Sequence, residues 1–136
     1  MRGFLAVLLG LVALAFAVPA AADPPTALLF EDTFDDVNPC TGDTMTVTIA
    51  STTFVHFHGS RIVAHTERTI TTSDGSVGHG AESFVDNGQI VRGRFTDIMT
   101  NASGGYRFRA RGLFVFDIST ETVRVDRFAL TCLGPA

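Results

Sequence analysis

Polar and apolar residues alternate with a period of two along most of the chain beyond its first two dozen residues. Residues 44–49, for example, run Thr-Met-Thr-Val-Thr-Ile. This alternation is typical of a strand with one buried face, and no stretch shows a convincing helical period. Turn signals separate the alternating stretches and leave long strands between tight turns. They lie at Gly59-Ser60, Asp74-Gly75, Asn87-Gly88, Gly104-Gly105 and Ser119-Thr120.

The pattern therefore predicts an all-β fold, an antiparallel meander of about seven or eight strands. An open sheet of that size would expose two edges. Closure into an up-and-down barrel of the lipocalin or avidin kind is favoured for that reason. A two-sheet sandwich is the alternative.

The turns also predict strand registers, and these registers share one apolar face. A loop at Gly104-Gly105, for example, sets Asp97 opposite Gly112. The shared apolar face consists of Phe84, Val91, Phe95, Met99, Phe108, Phe114 and Phe116. The opposite face collects Arg92, Arg94, Arg107, Arg109 and Arg111.

Charged residues are also predicted on the apolar face. Glu82 and Asp97 fall there, with Arg68 opposite Glu82 and Arg127 in the same row as Asp97. Because buried charges need partners, two interpretations are open. The four residues form two internal ion pairs, Arg68–Glu82 and Asp97–Arg127, or they line a polar ligand site inside the barrel. The apolar residues of the last strand change face, which predicts a bulge near Asp126 and Arg127.

A histidine hairpin is the second candidate site. With a two-residue Gly59-Ser60 loop, His56, His58 and His65 share the face opposite the apolar one. Three imidazoles in that arrangement can bind Zn²⁺ and leave an open coordination position. Such a site would support metal-dependent hydrolysis or hydration. The alternative, that the three histidines simply face solvent, is favoured because an H-x-H pair is common.

The arginine face is the third candidate, and it could bind a polyanion. Alternating arginine on the solvated side of a sheet also serves solubility and protects edges, which is the alternative. The sequence shows no nucleophile elbow, phosphate loop or catalytic triad signature. Enzyme activity is therefore left open and a non-catalytic role is favoured.

The first residues are predicted to be an export signal. Arg2 precedes an apolar run from Phe4 to Val18, and small residues follow up to Ala22. We therefore predict a signal peptide over residues 1–22, one domain over residues 23–136 and a secreted, extracellular protein. No apolar run after the signal is long enough to span a membrane. The formal net charge of −4 argues against nucleic acid as a partner.

The two cysteines, Cys40 and Cys132, lie near opposite ends of the predicted domain. An even cysteine count in an exported protein favours a disulfide, and neither residue belongs to a C-x-x-C pair. We expect a structural disulfide rather than catalytic thiols or metal ligands.

Three stretches resemble a group of small exported bacterial proteins, chiefly of actinobacterial type. They are Val37–Asp43, which contains N-P-C-T-G-D, the strand Phe54–His58, and Val123–Phe128 followed by Cys132. The resemblance spans roughly residues 37–133. It implies secretion, a disulfide and a β fold, and no catalytic activity.

These expectations combine into a secreted β-barrel that binds a small, partly apolar ligand, since meander barrels of this size often enclose a cavity. The interior candidates for that ligand are Arg68, Glu82, Asp97 and Arg127. The alternatives are a zinc enzyme using His56, His58 and His65, or an envelope or surface interaction protein using the arginine face. No cofactor other than zinc is implied. Ligand identity and oligomeric state stay open.

Overall fold

The computed structural model describes residues 25–136 and contains seven β-strands. The predicted signal peptide lies outside the described residues. The all-β prediction is confirmed. The strands are β1 (Thr26–Val37), β2 (Thr44–His58), β3 (Arg61–Thr72), β4 (Val77–Asp86), β5 (Ile90–Asn101), β6 (Tyr106–Asp117) and β7 (Thr122–Pro135).

The strands form one antiparallel meander in the order β1 to β7, as the turn spacing predicted. Among residues 25–136, β1 and β7 are the two edges of the sheet and do not pair with each other. Seven strands of alternating direction leave β1 and β7 running the same way. The antiparallel closure of an up-and-down barrel needs an even strand number instead. Closure into a barrel is therefore not confirmed. No described helix is long and apolar enough to cross a membrane.

A disulfide joins the two edges of the sheet at one end. Cys40 follows β1, Cys132 lies near the end of β7, and their Cα atoms are 4.9 Å apart. The predicted pairing is confirmed. Most of the exposed large apolar side chains lie on these two edge strands. They are Leu29, Phe30 and Val37 on β1, and Val123, Phe128 and Leu133 on β7.

Most of the predicted registers keep their faces. The β2–β3 register is as predicted, with Val55 opposite Ala64. The β5–β6 register is displaced by two residues, because the connection after Asn101 is a longer turn than expected, and Asp97 lies opposite Ala110 instead of Gly112. A displacement by two leaves every side chain on its predicted face.

The β6–β7 register is displaced by one residue, which does change faces. Gly112 lies opposite Phe128, and Leu113 lies opposite Arg127. The cause is a bulge in β7. Val125 pairs with Val115 and Val123 pairs with Phe116, so Arg124 between them is an additional, unpaired residue. A bulge was predicted, but a few residues further on. The predicted inward position of Arg127, and with it the Asp97–Arg127 ion pair, is wrong.

The buried face of the sheet contains two apolar clusters with a polar layer between them. One cluster is built around Met45, Val47, Ile70, Phe95, Met99, Phe108 and Ala110, and Phe34 of β1 and Leu130 of β7 pack against it. The other is built around Ala64, Phe84 and Val91. Since residues of both edge strands contact the first cluster, the sheet is strongly curved around it. The buried polar layer consists of Thr53, Thr66, Arg68, Glu82 and Asp97.

Candidate functional site

The polar layer is organised by one arginine between two carboxylates. Arg68 Nη1 lies 3.4 Å from Glu82 Oε2, and Arg68 Nε donates to Asp97 Oδ1 at 3.2 Å. Arg68 Nη2 lies 3.1 Å from Asp97 Oδ2 without making a well-angled hydrogen bond. The predicted Arg68–Glu82 ion pair is confirmed, and Asp97 shares the same cation. The predicted register is displaced by two residues, because Glu82 lies opposite Thr66 and Arg68 lies opposite Gly80. All three side chains are at least nine-tenths buried.

Two glycines make room for this arrangement. Gly80 lies between Arg68 and Asp97 in the sheet, and a Cβ there would come within 1.6 Å of Asp97 Oδ1. A Cβ on Gly112 would come within 2.2 Å of the Phe95 ring. Phe95 therefore lies over the Gly112 backbone, where its ring is 4.4 Å from the Arg68 guanidinium carbon. The ring face adds a cation–π contact to the two ion pairs.

Burial raises the pKa of both carboxyl groups in this layer. Arg68 opposes the effect at Glu82, where the neighbouring Asp97 charge adds to it. Arg68 likewise opposes the effect of burial at Asp97, through charge and a hydrogen bond. Burial outweighs the shared cation at both carboxyl groups, and this explains why both pKa values are raised.

The interior has little free space. The cavity bounded by Arg68, Phe95, Asp97, Phe128 and their apolar neighbours has a volume of about 40 Å³. A water molecule needs about 10–15 Å³ by this kind of measure, whereas small-molecule pockets usually have about 300–1,000 Å³. The interior therefore has room for a few waters only. An interior ligand site stays a prediction that this packing does not favour.

The three histidines of the hairpin lie on the predicted face and are exposed. His56 is opposite Val63, and His65 is opposite Phe54, so His56 and His65 are diagonal neighbours on adjacent strands as expected. Within residues 25–136, however, no group of three His, Cys, Asp or Glu side chains is arranged to hold a metal ion. The zinc site stays a prediction from sequence alone.

A polar network at the disulfide end of the sheet was not predicted. Asp74, in the β3–β4 turn, accepts hydrogen bonds from Asn38 Nδ2 at 2.7 Å and from the Tyr106 hydroxyl at 3.0 Å. It also accepts from the Ser76 amide and hydroxyl, at 3.0 and 2.8 Å. The fully buried Asn101 donates to the Asp74 carbonyl. The network therefore joins three turns and serves the fold.

Replacing Asp74 with asparagine is expected to lower the free energy of unfolding by about 1–2 kcal/mol at neutral pH, because several charge-assisted hydrogen bonds weaken. Partial burial raises the pKa of Asp74, but hydrogen bonds from Thr72, Ser76 and Asn38 outweigh it and hold the pKa well below its usual range. A lowered folded-state pKa stabilises the fold above the unfolded pKa, and this contribution is lost as the pH falls.

Denaturant titrations of the wild-type protein and Asp74→Asn between pH 7 and pH 2 test this prediction. The stability difference should shrink below about pH 4. Asp43→Asn is the matched control, since Asp43 lies in a neighbouring turn and its exposed side chain makes no hydrogen bond within residues 25–136. An equal effect of both substitutions would contradict the role given to Asp74.

The arginine face is where unpaired charge accumulates. Arg92 and Arg94 of β5, Arg107, Arg109 and Arg111 of β6, and Arg127 of β7 share this face, and we call these six residues the arginine track. Within residues 25–136, none of the six has a carboxylate within ion-pair distance. Arg109 Nε is buried and has no hydrogen-bond partner in the described part of the chain.

The track's neighbours on β4–β7 are all uncharged or histidine. In the cross-strand rows that contain the six arginines, no facing residue of these four strands is Asp or Glu. Glu82, Asp97 and Asp126 of the same strands lie on the other face, opposite Phe95, Ala110 and Phe114. In the rows of the track, β4–β7 therefore have arginines but no carboxylates on one face of the sheet, while Glu82, Asp97 and Asp126 lie on the other.

An open depression of about 1260 Å³ lies over the middle of the track. Arg94, Arg111 and Arg127 line it together with Thr96 and Leu113. His65 and Ser83 extend it toward β3, and Asp36 and Asp126 bound it near the two free edges. Glu82, Phe95, Gly112 and Phe128 of the inner face also line the depression, so it is not confined to the arginine face.

Sequence reasoning found five members of the track and missed Arg127. The reason is the bulge at Arg124, whose position the sequence did not predict. It changes the register by one residue and so moves Arg127 from the interior to the arginine face. The apolar residues of the last strand change face in the sequence pattern, which indicates that a bulge is present but does not show at which residue it lies.

Comparisons of this chain with protein-family models, with curated proteins and with solved structures found no match. The resemblance to small exported bacterial proteins therefore stays a prediction. The class that the fold defines is a disulfide-linked, seven-stranded antiparallel meander, and its function has to be argued from the site geometry.

Proposed function

We propose that this protein is a secreted, non-catalytic binding module that attaches to an anionic partner through the arginine track. One observation carries the proposal: within residues 25–136, six arginines without carboxylate partners occupy five consecutive rows of one sheet face, and β4–β7 contribute no acidic residue to these rows. Guanidinium groups bind phosphate and carboxylate groups in a bidentate manner, which makes such a face suited to anions.

The segregation of charge favours binding over mere solubility. A face that serves only solubility gains most from mixed signs, because adjacent like charges repel one another. Arg107, Arg109 and Arg111 repeat at every second residue of β6. In the next row, Arg94 and Arg127 flank Leu113 on the two neighbouring strands. This concentration of one sign raises the local concentration of anions and speeds their association.

The anionic partner is expected to be large. Each exposed arginine–anion pair contributes about 0.2–1 kcal/mol, so a single phosphate would bind too weakly to be retained. A partner with several anionic groups adds these small contributions together. An envelope or surface polymer fits this requirement better than a small free anion does.

Reversing the charge of Arg107 and Arg109 to glutamate is expected to abolish retention of the protein on a phosphate-bearing column at low salt. The wild-type protein should be retained and should elute as the salt concentration rises, because ions screen exposed charges. The single variant Arg109→Glu is measured as well, and Arg61→Glu is its control, since Arg61 is an exposed arginine at the β2–β3 turn, two strands from β5 and outside the track.

Loss of retention in the double variant, with retention kept in Arg61→Glu, supports the proposal. A wild-type protein that passes through the column at every salt concentration contradicts it, as does equal loss in Arg109→Glu and Arg61→Glu. Circular dichroism of each variant shows whether the sheet is kept.

A further inference from the structure

The six arginines follow the sheet in a regular order. Successive cross-strand rows on the arginine face contain Arg107, then Arg109, then Arg111. The next row contains Arg94 and Arg127 on either side of Leu113, and the row after it contains Arg92. Every row from one end of the track to the other therefore contains an arginine.

The spacing of the rows follows from strand geometry. Neighbouring rows on one face are two residues apart, which is about 6.8 Å along an antiparallel strand. The five rows therefore extend over about 27 Å. The central rows, with Arg111 and then Arg94 and Arg127, line the open depression. The track thus has a repeat, a direction and a groove at its middle.

From this geometry we propose that the partner is a linear phosphodiester polymer that lies extended along β6, with one phosphate for each row of the track. This inference rests on the function proposed above and adds the class and orientation of the ligand. A phosphodiester repeat built on a three-carbon unit has six backbone bonds. Three bonds of an extended peptide span about 3.3–3.6 Å, so six similar bonds span about 7 Å, which matches the rows.

The neighbours of the track favour the polymer backbone over nucleobases. Proteins that hold single-stranded nucleic acids stack the bases on aromatic side chains. The rows that contain the track have no Phe, Tyr or Trp on β4–β7; they contain small or aliphatic residues such as Ala81, Ala129 and Val115. The rows of the track therefore provide phosphate contacts and no aromatic side chain; Phe95 and Phe128, which also line the depression, belong to the inner face.

Synthetic oligomers with defined charge spacing test this inference. Fluorescence anisotropy would measure the affinity of labelled propanediol phosphate oligomers, from dimer to octamer, at low salt. The dissociation constant should fall about 1.4- to fivefold with each added phosphate, as expected for exposed ion pairs, and level off once the five rows are occupied. Hexanediol phosphate oligomers provide equal charge at a longer repeat, and they should bind about tenfold more weakly at the plateau length.

Shortening the track gives a second readout. Arg107→Gln combined with Arg109→Gln empties two adjacent rows at one end, so the plateau should move to an oligomer about two phosphates shorter. Arg61→Gln, a matched exposed arginine outside the track, should leave both affinity and plateau unchanged. A plateau that stays in place while the affinity drops would overturn the row-by-row arrangement.

The outcomes separate this inference from the proposed function. Equal affinity for propanediol and hexanediol oligomers of the same charge would overturn the spacing argument, although anion binding itself would stand. Oligothymidine that binds much more tightly than the propanediol oligomer would overturn the backbone-only ligand. No binding of any oligomer, together with no retention on the phosphate column, would overturn both proposals.

Discussion

Replacing Arg68 with methionine is expected to lower the free energy of unfolding by about 3–5 kcal/mol at pH 7, the loss typical when one partner of a buried ion pair is removed. Methionine keeps much of the side-chain volume but leaves Glu82 and Asp97 without their shared cation. Both carboxylates are buried and lie close to the arginine, at 3.4 and 3.1 Å. Denaturant titration of the wild-type and variant proteins measures the loss.

The loss of stability caused by Arg68→Met should become smaller as the pH falls. Burial raises the pKa of Glu82 and of Asp97, and Arg68 opposes that rise at both residues. Without Arg68 the two pKa values rise further. A group whose pKa is raised by folding favours the fold fully below its unfolded pKa and loses that contribution as the pH rises through its folded pKa. The difference between wild type and Arg68→Met should therefore narrow as the pH falls toward about 4.

Two further variants make the arginine experiment decisive. Arg61→Met removes an exposed arginine and should change stability by less than about 0.5 kcal/mol. The triple variant Arg68→Met, Glu82→Gln, Asp97→Asn leaves no charge in the layer around Arg68 and should recover part of the lost stability. If Arg68→Met were no more destabilising than Arg61→Met at pH 7, the ion-pair layer would not have the structural role described here.

Removing the disulfide is expected to cause the second large decrease in the free energy of unfolding. Cys40 and Cys132 are 92 residues apart in sequence. Replacing both by alanine releases a long loop in the unfolded chain, which costs about 4–5 kcal/mol of stability in the chain-entropy model. The structural reason for the placement is that β1 and β7, as unpaired edges, are joined at that end by this bond.

Reduction of the wild-type protein provides the control for the cysteine variant. The reduced wild-type protein and the double variant Cys40→Ala, Cys132→Ala should unfold at the same denaturant concentration. This concentration should be well below the one at which the oxidised wild type unfolds. A loss of less than about 1 kcal/mol would mean that the edges stay together without the bond. Binding of the track to phosphate should survive at temperatures where the variant is folded.

The architecture could be predicted because a strand's period of two is a local property. Alternation and turn residues located the strands, and a displacement by two residues, as between Asp97 and Ala110, left every face correct. Turn length was harder to predict, because the number of residues in a turn depends on hydrogen bonds made elsewhere. Asn101, for example, is held by the Asp74 carbonyl from another turn.

The sites were less predictable for physical reasons that involve distant strands. The sequence indicated that Glu82 and Asp97 needed cations, but it assigned one to each. The absence of a side chain at Gly80 lets Arg68 reach Asp97, and the bulge at Arg124 turns Arg127 away from the interior. Both effects depend on three-dimensional neighbours that no local pattern contains.

The two faces of the sheet divide the chain's charges between folding and binding. On the inner face, a single arginine compensates two carboxylates and is covered by the Phe95 ring. On the outer face of β4–β7, arginines accumulate without compensation. Substitutions at Arg68 should therefore affect stability, whereas substitutions at Arg109 should affect binding and leave stability nearly unchanged.

The most direct test is a nuclear magnetic resonance titration of the isotope-labelled protein with a propanediol phosphate hexamer. Chemical-shift changes are expected at the backbone amides of β5, β6 and the middle of β7, and at the side-chain Nε–H groups of the arginine track. The resonances of Arg68, His56 and His58 should stay in place. Changes confined to the histidine hairpin or to Arg68, with the track resonances unmoved, would contradict the assignment of binding to the arginine face.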